Sequence, residues 1–470
     1  MTPIPKTQIF TLLALQAVVA FSFECIFPFV NQFLLDIGVV KNPEDAGFYS
    51  GVVESAFAIS QLITVFPAAW ASDIYGRKPV IILGTLGVAL AMAIFGVSTT
   101  YWMMILSRVL GGGVGAGNTA IRVMSGEMTD KASQPRVFSW IVISYRIGQI
   151  VGQPVGGLLS HPERHWPKLF SSWFWYKYPY ALPCFVGSAY ALICSIVGQL
   201  VLKETLRSRS KGAKIARDGG LSGEASPLLE DIPISSPKKL RPTIRSVLTW
   251  PLFSLLVSNA IMVLLTEVFF ATYPLFAFTP IELGGLGLSE ARIGIHMSVR
   301  SVVHIVILFP FSRLQERFSA MSLYRVSLIA WIPTIMLFPL LSFIARNRGE
   351  DGVWWYLGLA VVFSVWAITG WSWASVFVLS SSHSPNEDAM ATVQALVSSC
   401  VIIPQAIGPA LGTSTFAFAI QHREILRGNF FWVSMLVLSV IAVLHSLTLR
   451  EASHDRREEE SRDTSRQEII

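Results

Sequence analysis

Twelve stretches of this chain are each long and apolar enough to cross a bilayer, a pattern that leaves room for little besides a polytopic membrane fold. They run over residues 8–35, 47–72, 79–98, 101–126, 137–160, 179–202, 250–272, 291–311, 322–345, 353–381, 389–420 and 428–449, numbered below as helix 1 to helix 12. Backbone in hydrocarbon must satisfy its own N–H and C=O groups, so separate apolar runs of this length read as helices. Composition agrees: 52% of residues are hydrophobic and 14% charged, where a soluble domain carries about a quarter charged. The expected class is an all-α membrane protein with twelve transmembrane helices.

Charge placement predicts how these helices are oriented. With the N-terminus in the cytosol and strict alternation, 23 of the 36 Lys and Arg fall on cytoplasmic segments and nine on the other side. The remaining four (Arg108, Arg122, Arg146 and Arg300) lie inside spans. This is the positive-inside bias, with both termini cytoplasmic, so the net charge of +6 reflects topology and no nucleic-acid partner is expected. The first apolar run is too long for a cleaved leader and is read as helix 1 itself. All four cysteines (Cys25, Cys184, Cys194 and Cys400) fall in spans, which predicts neither a disulfide framework nor a metal site. No cofactor is expected. No nucleophile–base pair or phosphate loop suggests an enzyme.

Between Lys203 and Pro251 the apolar pattern stops, and ten Lys and Arg appear among Ser, Gly and Pro. Such a stretch reads as a linker. The expected organisation is an N-terminal six-helix bundle over 1–203, a cytoplasmic linker over 204–249, a C-terminal six-helix bundle over 250–450 and a disordered cytoplasmic tail over 451–470. The halves carry traces of a repeat. Glu24 precedes Pro28 in helix 1 as Glu267 precedes Pro274 in helix 7, and SDIYGRK at Ser72–Lys78 is echoed by SRLQERFS at Ser312–Ser319. Repeats around a midplane site are the general plan of secondary transporters.

Three motifs carry chemistry. In the loop after helix 2, Gly76 allows a tight turn, Arg77 and Lys78 hold it on the cytoplasmic side, and Asp73 can face a helix N-terminus and latch one conformation. Helix 4 reads Arg108-Val-Leu-Gly-Gly-Gly-Val-Gly-Ala-Gly-Asn118, with Arg108, Gly115 and Arg122 seven residues apart and so on one predicted polar face. An arginine inside a span is costly unless paired, which marks it as functional. Helix 5 has Gly148, Gly152 and Gly156 on one face with Pro154 and Gly157 between and beside them, and helix 11 has Gly408-Pro409-Ala-Leu-Gly412. Small residues at this spacing let helices approach closely. Arg146, Gln149 and Gln153 are read as lying opposite the first glycines, toward a cavity.

These motifs resemble those of the major facilitator superfamily: its signature loop, with Ala69 and Ile74 at two usual positions, its helix-4 motif, with Gly111 for a frequent Gln, and the helix-5 motif of drug:proton antiporters, interrupted by Gln153. LPC at Leu182–Cys184, KETLRSR at Lys203–Arg209, TPIELGGLGLSEARIG at Thr279–Gly294 and GFYSGVVES at Gly47–Ser55 look like a fungal branch similar to plant zinc-induced-facilitator-like proteins. Helix 1 departs from that branch, with Gln16 and Val19-Ala20 where Arg and Glu-Pro are frequent. The resemblance implies the major facilitator fold, two pseudo-symmetric six-helix bundles. It also implies a proton-coupled exporter of small organic molecules acting as a monomer. A metal-ion or potassium transporter of the same fold is the second reading, and a transport-incompetent nutrient sensor the third.

Depth along the helices groups the buried charges. Glu24, Glu54 and Arg108 come out at one level, a candidate proton-coupling group, with Glu267 as the counterpart in the second half. Asn31 shares a face with Glu24 and Pro28. Asn118, Arg122, Arg146, Gln149, Gln153, Arg300, His304 and Trp371 complete the candidate cavity, and His296, Arg300 and His304 are spaced one turn apart. In the linker, Glu224 stands four residues before Leu228-Leu229, the form of an adaptor-read sorting signal. It favours a vacuolar membrane, with the plasma membrane as the alternative. The expected partners are a small-molecule substrate, protons, the lipid bilayer and a sorting adaptor.

Overall fold

The computed structural model describes residues 5–115, 117–129, 133–206, 248–349, 352–382 and 387–449, and every regular element among them is helical. All twelve predicted spans are helices, ten of them in helical stretches long and apolar enough to cross a membrane. Helices 4 and 5 fall short for different reasons. Helix 4 is described over Tyr101–Gly115 and Asn118–Glu127, each too short by itself. Helix 5, Gln134–Leu158, has the length but carries Arg146, Gln149 and Gln153. Helix 1 is also divided, into Lys6–Glu24 and Val30–Asp36. Pro28 has no N–H to offer the carbonyl of Glu24, so the helix opens there.

Glycines set how closely the helices pack. A Cβ on Gly148, Gly152 or Gly156 would stand 2.3, 2.7 or 1.8 Å from the carbonyl oxygens of Ala17, Phe21 and Cys25 in helix 1. Gly157 turns to the other side, where a Cβ would meet the Glu290 carbonyl of helix 8 at 2.1 Å. In the second half a Cβ on Gly408 or Gly412 would come within 2.8 Å of Glu267 or Val268 in helix 7. Pro154 and Pro409 lie inside these paired helices. Helix 5 therefore lies on helix 1 as helix 11 lies on helix 7, the relation a repeat demands. Without a hydrophobic driving force in lipid, this close van der Waals contact is a main source of helix association.

The first six helices meet the last six at one end. Ser298 Oγ donates to the Ile150 carbonyl at 2.8 Å, Ser301 Oγ to Gln153 Oε1 at 3.3 Å, and Ala410 N to Ser55 Oγ at 3.1 Å. Gln421 donates to Asp45. These bonds join the starts of helices 2 and 8 to the ends of helices 11 and 5.

His161 seals the same end. It takes a left-handed backbone, φ 52°, and is 4% exposed. Its Nδ1 lies 3.0 Å from Glu163 Oε1, and its Nε2 lies 3.0 Å from the Tyr180 hydroxyl and 3.2 Å from Asp36 Oδ2. Across the interface, Glu290 Oε1 is 4.0 Å from Nε2. Tyr180 and Gln32 both donate to Asp36, at 2.6 and 2.7 Å. Burial pulls the imidazole toward neutrality, but bonds to Asp36 and Glu163 outweigh it and raise the His161 pKa above its ordinary value. Burial likewise opposes ionisation of Asp36, yet His161, Tyr180 and Gln32 hold its carboxyl below the usual range.

This packing sets two expected outcomes. Gly156→Ala should force helices 1 and 5 apart and cost roughly 1–3 kcal/mol, whereas Gly115→Ala, whose Cβ would have 3.8 Å of clearance, should be neutral. Thermal unfolding of the two purified variants compares them directly. A raised histidine pKa gives stability that is complete below the ordinary value of 6.5 and is lost as pH rises through the raised one. The midpoint difference between wild type and His161→Gln should therefore be largest near pH 5–6, where Asp36 is still ionised. It should shrink on alkalinisation, and a pH-independent difference would contradict the charged imidazole.

Candidate functional site

Where helix 1 opens, the Glu24 carboxylate meets helix 5. Gln149 Nε2 donates to Oε1 and Gln153 Nε2 donates to Oε2 at 2.9 Å, so both oxygens are occupied by amides. Arg146 Nη1 donates to Gln149 Oε1 at 2.8 Å. On the other side Gln153 Oε1 accepts from Ser301 Oγ of helix 8, which also accepts from Arg300 Nη2 at 3.5 Å. One buried polar chain thus runs Arg146–Gln149–Glu24–Gln153–Ser301–Arg300 and crosses between the halves. Glu24 is 1% exposed, Gln149 6% and Gln153 fully buried. The glutamines do not lie opposite the glycines as expected. Glycines and glutamines both meet helix 1, because residues one apart on helix 5 turn only part of the way round the axis.

Glu54 and Arg108 are buried near this chain without joining it. The Arg108 guanidinium lies between Phe23 and Phe57, 5.3 and 4.8 Å from the ring centroids, and its Nε donates to the Val53 carbonyl at 3.4 Å. Glu54 Oε2 has no hydrogen-bond partner among the described residues. Glu24 and Glu54, expected at the depth of Arg108, are both near enough for their charges to act on it. Arg108, Glu24 and Glu267 remain near enough for their charges to act on Glu54. Glu267 Oε1 accepts from Gln405 at 3.4 Å.

The remaining candidates separate. Arg122 is exposed and Arg108 is 4% exposed, yet the charges of Arg122, Arg146 and Glu24 all reach Tyr145 of helix 5. Asn118 opens the second segment of that helix. Asn31 is buried with Oδ1 unpartnered among the described residues. Trp371 Nε1 donates to the Ile307 carbonyl at 2.9 Å, which makes it a brace on helix 8. His304 packs on Gly370, where a Cβ would meet the imidazole at 2.1 Å, and His296 Nδ1 lies 3.3 Å from the Tyr273 hydroxyl.

At the opposite end, Asp73 pairs with Arg77, which reaches Glu127 at the end of helix 4 at 3.2 Å and Ser72 Oγ at 3.0 Å. Glu204, from the KETLRSR stretch, accepts from the backbone N–H groups of Arg77 and Lys78 at 2.9 and 3.0 Å and so caps helix 3. It also accepts from Thr205 and Leu206, both at 3.0 Å. Burial opposes its ionisation, but these four backbone donors hold its carboxyl below the usual range. Gly76 is required twice, by φ 110° and by Glu204 Oε2, which would lie 2.4 Å from a Cβ. Lys78 Nζ donates to the Gln199 carbonyl at 2.7 Å. The loop motif points to Asp73 but not to Glu127 or Glu204, whose part depends on helices 4 and 6 ending beside the loop.

The linker residues Glu224, Leu228 and Leu229 lie outside the described residues. Phe270, Tyr273, Trp366 and Ser301, which surround Arg300, carry no motif that would single them out together.

Comparison with known proteins accords with this geometry. The chain is 27% identical over 450 residues to the efflux pump azaK of Aspergillus niger, covering 94% of this chain and 87% of the relative. It is 27% identical over 450 residues to the Arabidopsis thaliana protein ZINC INDUCED FACILITATOR-LIKE 1, covering 94% and 91%. Among solved structures, a bacterial homologue of the human lysosomal transporter Spinster, in an inward-facing and unoccupied conformation, superposes with a TM-score of 0.69 over 96% of this chain and 98% of that one. At 15% identity that likeness shows the fold alone. The Major Facilitator Superfamily profile matches residues 12–409 and again 269–470. This chain belongs to the Major Facilitator Superfamily of multi-pass membrane transporters.

Proposed function

We propose that this transporter carries small organic molecules out of the cytosol in exchange for protons, with the vacuolar membrane favoured over the plasma membrane. The observation that carries the reading is the buried chain from Glu24 through Gln153 to Ser301, because it ties one titratable carboxyl to the contact between the halves. With the N-terminus in the cytosol, the joined end faces outward and the arrangement is inward-facing. An efflux pump among the relatives supports the direction of transport.

The chemistry rests on donor and acceptor counts. An ionised carboxylate only accepts, and Gln149 and Gln153 supply two donors, which leaves the Gln153 carbonyl for Ser301. A protonated Glu24 has an O–H to donate, so one of its two amide partners must turn a carbonyl toward it, and turning Gln153 takes that carbonyl from Ser301. Protonation therefore draws Gln153 away from Ser301 and loosens the link between helices 5 and 8. A substrate that engages Gln153 does the same. The ionised, empty protein stays joined at this end until a proton or a substrate arrives, which is the rule an antiporter needs.

Glu24→Gln and Glu54→Gln should each abolish flux driven by an imposed pH gradient in reconstituted vesicles while leaving substrate binding in place. Full pH-driven flux in both variants would move the coupling site elsewhere. Location is tested separately. Changing Leu228 and Leu229 to Ala in a fluorescently tagged full-length protein should shift it from the vacuole to the cell surface. A wild-type protein already at the surface would remove the sorting signal from the account.

A further inference from the structure

The polar chain accounts for Glu24 but leaves a buried cation without a counter-ion. Arg300 is 9% exposed, and its guanidinium carbon lies 4.9 Å from the Phe270 ring centroid and 4.6 Å from that of Trp366. The bond to Ser301 Oγ, at 3.5 Å, is long. No carboxylate oxygen lies within 4.0 Å of its nitrogens among the described residues. Glu24 and Arg146 are the nearby charged groups that act on it, and both oxygens of Glu24 are already taken by amides. Arg146 adds a second positive charge.

An isolated guanidinium in a membrane interior is costly, and two ring contacts offset only part of that cost. The rings also decide which side of it stays available. Packing on the guanidinium faces leaves the N–H edge, the fork that takes a carboxylate or phosphate through two parallel bonds. The two rings are themselves packed on further aromatics. Phe27 of helix 1 packs edge-on to Phe270 at 5.1 Å, and Tyr273 lies 5.6 Å from Trp366 between ring centroids. A cationic fork set in an aromatic wall at the junction of the halves matches an amphiphilic acid.

We propose that Arg300 is the head-group subsite of the transport site, taking the carboxylate or phosphate of an organic anion whose flat apolar body lies along Phe270 and Trp366. The inference rests on the export reading above and narrows its substrates from organic molecules in general to organic acids. The acid head takes N–H groups of the guanidinium that otherwise reach Ser301 Oγ, now at 3.5 Å from Nη2. Substrate arrival is thereby felt in the chain that joins helices 5 and 8.

A matched pair of dyes tests this with the full-length purified protein: carboxyfluorescein, an anion, and rhodamine 123, a cation on a similar fused-ring body. Fluorescence polarisation should show wild type binding the anion more tightly than the cation. Arg300→Gln should weaken anion binding roughly 10- to 100-fold, the size of a lost charge-assisted pair, and leave the cation unchanged. Arg300→Lys should recover part of the loss, because it restores charge without the fork, and this recovery separates recognition from misfolding. Glu24→Gln should still bind carboxyfluorescein while losing pH-driven flux. Retained flux in Glu24→Gln would defeat proton coupling and leave the anion subsite standing. Equal anion binding by wild type and Arg300→Gln, or a wild-type preference for rhodamine 123, would overturn the subsite. Displacement of carboxyfluorescein by phosphatidylglycerol vesicles but not by benzoate or phenyl phosphate would reassign Arg300 to a lipid head group.

Discussion

The contact on which the rest depends is the absence of side chains between helices 1 and 5. Carbonyl oxygens of Ala17, Phe21 and Cys25 sit where three glycines would otherwise carry Cβ atoms, and only that approach lets short amides on helix 5 reach a carboxylate on helix 1. The opening of helix 1 after Glu24 completes the arrangement. Helix 5 then turns its other side, through Gly157 and the Gln153 carbonyl, to helix 8. One helix is therefore both the scaffold of the first half and the surface on which the second half rests. On this side, movement between the halves passes along it, while helix 2 meets helix 11 on the other.

The pseudo-repeat extends to how buried charge is held. Arg108 in the first half lies between Phe23 and Phe57, and Arg300 in the second lies between Phe270 and Trp366. In each case one ring comes from the first helix of its own half, beside the acid of that helix. Rings offer a guanidinium attraction without neutralising it. A buried ion pair would be partly self-satisfied and slow to exchange partners. A cation held by rings keeps its hydrogen-bonding edge for whatever enters.

Helix count, the glycine seams and the Asp73 loop were legible because each depends on local composition or a short spacing. The nearness of Glu24, Glu54 and Arg108 was legible too, from depth counted along the helices. Azimuth was not. Glu24 turns to the amides of helix 5, while Arg108 lies between Phe23 and Phe57. The partners of Glu24 lie on helix 5 and those of Arg300 on helices 7, 8 and 10, contacts between distant segments that one sequence does not disclose. His161 was missed for the same reason. Its neighbours Asp36, Tyr180 and Glu290 come from three separate parts of the chain.

Glu204 has a mechanical consequence. Its carboxylate bonds two backbone N–H groups at the start of helix 3 and two in the length of chain leaving the first half. It acts as a splice between the helical body and the segment beyond it. A load applied along the chain from Leu206 onward is delivered to the first turn of helix 3, beside the Asp73–Arg77 pair, before it can strain helix 6. A pull on the chain at Leu206 is therefore a pull on the Asp73 loop.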